Sequence, residues 1–147
     1  MFLRKTTKIS LLILLPLIFL AGCILDPEKN ENQVLKTISA REAYQLIEEN
    51  SDNPDFVIID IRTLSEYNQG YIKDAINIDY YSPDFSKDLD YLSKDNTYLI
   101  YCRTGNRSAN ALDIMKELDF KKVYNLGKGI NNWVEEGYPI IEACPIC

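Results

Sequence analysis

The sequence predicts an α/β domain with one central, mostly parallel sheet flanked by helices on both faces. Three observations predict it. Strand-like and helix-like segments alternate from Val34 onward. Residues 56–60 and 98–101 are apolar runs without polar alternation, the mark of strands buried on both faces, as parallel strands are. The chain has 147 residues and is 46% hydrophobic, enough for one domain with a real core and unlike a disordered composition.

Each element has a local reason. Residues 34–38 form a short strand. Ser39 and Glu42 make a capping box ahead of the apolar spacing in 43–47, and that helix ends near Asn50, with Pro54 in the next loop. Residues 56–60 are a buried strand. Thr63 or Ser65 starts a short helix through Tyr67, and Gly70 stops it. Arg62 and Glu66, four apart, are placed to pair on that turn. Residues 75–78 are a short edge strand. Ser82-Pro83 starts a helix that runs to about Leu92, with proline at its first position. After strand 98–101, Ala111, Leu112, Met115 and Leu118 repeat at helical spacing. A strand at 123–126 and a helix at 130–136 complete the domain, and Trp133 belongs to its core. Asp60, at a strand end, is read as a structural acceptor for loop donors.

The first 33 residues are targeting signal and tether. Arg4, Lys5 and Lys8 precede an apolar run over 9–21 that is broken by Pro16. The run is shorter than the roughly 20 apolar residues that span a bilayer, and has the shape of a secretory signal. It ends Leu20-Ala21-Gly22-Cys23, which resembles a lipobox. That resemblance implies cleavage after Gly22 and lipid attachment, palmitate included, at Cys23. The alternative is an uncleaved anchor. Either way the domain is expected outside the cytoplasm, on a membrane: signal 1–22, tether 23–33, domain 34–141 and tail 142–147.

The formal net charge of −6 argues against nucleic-acid partners. There is no histidine, so a Ser-His-Asp triad and His-containing metal sites are excluded. Chemistry concentrates instead at Cys102, which ends an apolar strand and precedes a polar loop and a helix. Main-chain N–H groups and the positive end of the helix dipole converge on such a thiol, lower its pKa and cradle anions. Gly105 permits the tight turn. Arg103 and Arg107 offer planar forks for an oxyanion, and Thr104 and Asn106 add polar contacts. The catalytic candidates are Cys102, Arg107 and Arg103; Thr104, Gly105, Asn106 and Arg107 are the substrate-binding candidates. The blander readings are an inert core cysteine and an arginine that merely pairs with an acid.

Three ordered motifs resemble the rhodanese family over roughly 34–141. Asp60, Arg62, Glu66, Tyr67, Gly70, Ile72, Ala75, Asn77 and Ile78 follow D-x-R…E-[YF]-x-x-G-H-I-x-G-A-x-N-I. Cys102-Arg103-Thr104-Gly105-Asn106-Arg107-Ser108 follows C-R-x-G-x-R-S. Val123, Leu126, Gly129, Trp133, Gly137 and Pro139 follow V-x-x-L-x-G-G-x-x-x-W…G-x-P. Tyr71 replaces the usual histidine and Lys128 a usual glycine. The resemblance implies a sulfurtransferase without a cofactor. Cys102 would take the outer sulfur of a small anionic donor such as thiosulfate or polysulfide, hold it as a persulfide and pass it to cyanide, a thiol or a protein. A cysteine phosphatase is the first competitor, but those enzymes place arginine six residues after cysteine and Arg107 is five after Cys102. The second is a lipid-tethered module that binds a partner or delivers sulfur without free turnover.

Cys144 and Cys147 lie outside that resemblance. Cys-x-x-Cys suits a disulfide, a redox pair or half a metal site. A disulfide is favoured outside the cytoplasm, and would leave Cys102 as the one free thiol once Cys23 is lipidated. The bolder reading is a tail dithiol that accepts sulfur from Cys102 and releases sulfide; the plainer one is a passive terminal pair.

Overall fold

A computed structural model describes residues 33–142. The expectations placed on Cys23, Cys144 and Cys147 lie outside the described residues. Five parallel strands form one sheet in the order β1-β5-β4-β2-β3: β1 Val34–Ile38, β2 Phe56–Asp60, β3 Ile76–Asn77, β4 Thr97–Tyr101 and β5 Lys122–Leu126. The short β3 is an edge, as its length predicts. Among the described residues no helix is long and apolar enough to cross a membrane.

Helices cover both faces because the buried strands send alternate side chains to opposite sides. Ile58, Leu99, Tyr101 and Leu126 meet helices α1 (Ala40–Glu49) and α5 (Gly129–Glu135) through Ala40, Ala43, Ile130 and Trp133. Ile59, Tyr98, Ile100 and Val123 meet α3 (Phe85–Asp90) and α4 (Asn106–Glu117) through Phe85, Leu89, Ala111 and Met115. Trp133 is 1% exposed, a core residue as its sequence context suggests, and its indole N–H donates to the Pro139 carbonyl at 2.9 Å.

The Ser39–Glu42 capping box forms as its sequence dictates: the Glu42 N–H donates to the Ser39 hydroxyl and the Ser39 N–H to the Glu42 carboxylate. Thr63 and Glu66 make a second box at the start of α2 (Leu64–Tyr67). That settles the choice between Thr63 and Ser65, since only Thr63 has a glutamate three residues on. The helix expected at Ser82-Pro83 begins later, at Phe85. The Ser82 hydroxyl accepts from the Asp84 N–H and the Ser82 carbonyl from the Phe85 N–H, so Pro83 serves a turn instead of a first helical position.

Candidate active site

Alternation along β4 fixes where the thiol points. Tyr98 and Ile100 face α3 and α4, Leu99 and Tyr101 face α1 and α5, and Cys102 returns to the α3/α4 side. α4 opens at Asn106, five residues ahead of the first apolar position of its spacing, because Gly105 takes the cap position in the left-handed region at φ 95°. The Gly105 N–H turns back and donates to Cys102 Sγ at 3.1 Å. The Ser108 hydroxyl, in the first turn of α4, lies 3.5 Å from Sγ and 3.1 Å from the Gly105 carbonyl oxygen. Its single proton serves one or the other, and a thiolate is the stronger acceptor.

Burial pushes the Cys102 thiol up. The Ser108 hydroxyl and the main-chain N–H groups of Ser108, Thr104 and Gly105 pull it down by more, so its pKa lies below the ordinary cysteine value. The cradle expected from the sequence is therefore present. The thiol is also fully covered, with 0% exposure.

The loop is held from behind by main chain. The Ile130 N–H donates to the Cys102 carbonyl at 2.9 Å and the Asn131 N–H to the Arg103 carbonyl at 3.1 Å. This backing demands glycine twice. A Cβ on Gly105 would stand 1.9 Å from the Gly127 carbonyl oxygen, and one on Gly129, at φ 64°, would stand 2.4 Å from the Cys102 carbonyl oxygen. Lys128, where the family pattern has glycine, adopts φ −109°, which any residue tolerates. Asp74 also occupies a glycine position of the pattern, and it does take a left-handed φ of 63°, which aspartate accepts more readily than most residues. Tyr71, in place of histidine, stacks on Tyr67 with ring centroids 4.2 Å apart, a packing role.

An open cavity of about 380 Å³ borders the loop, lined by Glu66, Tyr81, Arg103, Thr104, Asn106 and Arg107. Sequence reasoning named four of these six. Arg103, Thr104 and Asn106 are exposed. Arg107 is not free: its Nη1 and Nη2 donate to the two Glu66 carboxylate oxygens at 2.9 and 2.8 Å. Arg107 thus holds the Glu66 carboxyl down at a pKa of about 2. The hydrogen bonds to Glu66 raise the Arg107 guanidinium further against the opposing effect of burial. The guanidinium also sits 5.4 Å from the Tyr81 ring centroid.

The expected Arg62–Glu66 pair does not form. Arg62 precedes the cap residue Thr63, so the spacing rule for two helical residues does not reach it. Its guanidinium turns to the Asp60 carboxylate at 2.6–3.0 Å and to the Gly70 carbonyl at 2.6 Å. Asp60 also accepts the Arg62 N–H at 2.9 Å, the structural acceptor role its position suggests. Glu66 and Tyr81 are the site residues that sequence reasoning missed. The sequence spacing pairs Glu66 with Arg62, and Tyr81 carries no local signal.

Residues 39–136 match the rhodanese-like domain family. A sulfurtransferase of Allochromatium vinosum is 34% identical over 91 residues, covering 62% of this chain and 83% of that protein. A tRNA uridine(34) hydroxylase of Legionella pneumophila is also 34% identical, over 116 residues, but the chain spans only 42% of its length. A solved rhodanese-related protein from Thermoplasma volcanium superposes with a TM-score of 0.62 at 29% identity, over 72% of this chain and 97% of that one. A rhodanese-like domain protein from Staphylococcus aureus gives 0.58 at 27% identity, over 73% and 99%. With residues 39–136, most of those described, matched, and the architecture of solved relatives shared over 72–73% of its length, this chain belongs to the rhodanese-like domain family.

Proposed function

We propose that the chain is a sulfurtransferase that carries sulfane sulfur as a persulfide on Cys102. The observation that carries this reading is the Gly105 N–H at 3.1 Å from Cys102 Sγ, with the Ser108 hydroxyl beside it. The 34%-identical sulfurtransferase of Allochromatium vinosum supports it.

In the first half-reaction the Cys102 thiolate attacks the outer sulfur of thiosulfate. The new S–S bond forms as the donor's S–S bond breaks, and sulfite leaves with the electron pair. In the second half, a thiol or cyanide attacks the outer sulfur of the persulfide, and Cys102 departs as a thiolate. Negative charge stays on Cys102 or its attached sulfur throughout, so preorganised N–H and hydroxyl donors stabilise every stage without reorganising. Neither half requires a proton delivered to a leaving group, which suits a chain without histidine. Arg103, Thr104 and Asn106 line the entrance and supply the polar contacts for an anionic donor.

The test is mass spectrometry of the protein after thiosulfate treatment. The expected result is a mass gain of one sulfur atom on Cys102, reversed by cyanide with release of thiocyanate and absent in Cys102→Ser. An unmodified Cys102 after treatment with both thiosulfate and polysulfide overturns the proposal.

A further inference from the structure

The cavity over the loop carries less free positive charge than its two arginines imply. Both terminal nitrogens of Arg107 are engaged by Glu66, and the Glu66 carboxylate itself forms part of the wall. Arg103 is the exposed cation of the lining, and Cys102, buried at the base of the loop that borders the cavity, must be a thiolate to react. Glu66 and the thiolate together balance the two arginines. A dianion gains little from such a well. Tyr81, 68% exposed, adds an apolar wall that an inorganic donor cannot use.

We propose that Glu66 is a specificity-determining residue that, with Tyr81, tunes this site toward an organic persulfide of low charge and away from dianionic thiosulfate. The inference rests on the sulfur-carrying role of Cys102 and names its preferred donor. The transfer is balanced. The Cys102 thiolate attacks the outer sulfur of R–S–SH, the Cys102–sulfur bond forms, and the donor's S–S bond breaks. The proton remains on the transferred sulfur, and RS⁻ leaves with the electron pair. The organic group R lies against Tyr81, and no second negative charge has to enter beside Glu66.

The test compares thiosulfate with 2-hydroxyethyl persulfide as donors to the full chain, in the wild type and in Glu66→Gln. Glutamine retains an oxygen for the Thr63 N–H while removing the charge. The wild type should show a kcat/KM at least about tenfold higher for the persulfide. Coulomb energy scales with the product of charges, so removing Glu66 should help a dianion by the square of its effect on a monoanion. Glu66→Gln should lower the thiosulfate KM about tenfold and the persulfide KM no more than about threefold. Tyr81→Ala should raise the persulfide KM by a larger factor than the thiosulfate KM.

If Cys102 gains sulfur from neither donor, the sulfur-carrier reading itself fails. If it gains sulfur from both, and the wild type prefers thiosulfate or Glu66→Gln leaves the donor ratio unchanged, the sulfur carrier stands and charge selection by Glu66 is refuted. The donor ratio of the wild type tests the proposal even where Glu66→Gln does not fold.

Discussion

The Asp60–Arg62 and Glu66–Arg107 pairs use the same chemistry in two settings. The first joins residues two apart and is sealed, with side-chain exposures of 0% and 7% for Asp60 and Arg62. Its second guanidinium contact, to the Gly70 carbonyl, ties the turn after α2 to the end of β2. The second pair joins residues 41 apart and keeps 23% and 15% exposure on the wall of the cavity. In the sealed pair each charge has nowhere else to go, so the pair holds the fold. In the open pair the charges remain within reach of an incoming anion, so the pair sets what that anion meets. Burial separates a strut from a selector.

Removing one partner should expose this difference. Arg62→Ala leaves the Asp60 carboxylate buried without its cation and the Gly70 carbonyl without its donor. It should lower stability by about 3–5 kcal/mol, measured by urea denaturation. A loss below about 1 kcal/mol would show that water or neighbouring groups replace the arginine, and the contrast would fail.

The open pair should reveal itself by titration. The Glu66 carboxyl is lowered from its ordinary 4.5 to about 2. A depressed folded-state pKa stabilises the fold above the unfolded value, and that contribution is lost as pH falls from about 4.5 through about 2. Wild type should therefore exceed Glu66→Gln by about 1–2 kcal/mol at neutral pH, after allowance for solvent screening. The gap should close near pH 2. A gap that persists unchanged into acid would show that the ion pair is not its source.

At the small end stands the exposed Lys87–Asp84 contact at 3.9 Å, with side-chain exposures of 64% and 63%. Lys87→Ala should move the denaturation midpoint by less than about 0.5 kcal/mol equivalent. A larger shift would mean that exposure is not the variable that ranks these pairs.

The elements legible in the sequence are those whose cause is local. The apolar run ending at Cys102, the glycine that turns the loop and the capping box at Ser39 each depend on neighbours within a few residues. The strand alternation that carries the thiol to the α4 side follows from the same run. The partners of Arg62 and Glu66 were illegible for a different reason. Arg62 stands outside the helix whose spacing rule was applied to it, and Arg107 reaches Glu66 only through the folded sheet. Pro83 shows the limit of positional preference, since the Ser82 turn takes up the residues that would otherwise open the helix. Tyr81 joins the cavity through tertiary placement alone.

The back-to-back contact of main chain at Gly105, Gly127 and Gly129 has an engineering consequence. No side chain lies between the reactive loop and the segment behind it, so the two are cast as one piece. Moving residues 102–108 onto another α/β scaffold should not transplant a reactive thiol. The portable unit is the loop together with residues 127–131, whose amides fix the peptide planes that aim at the sulfur.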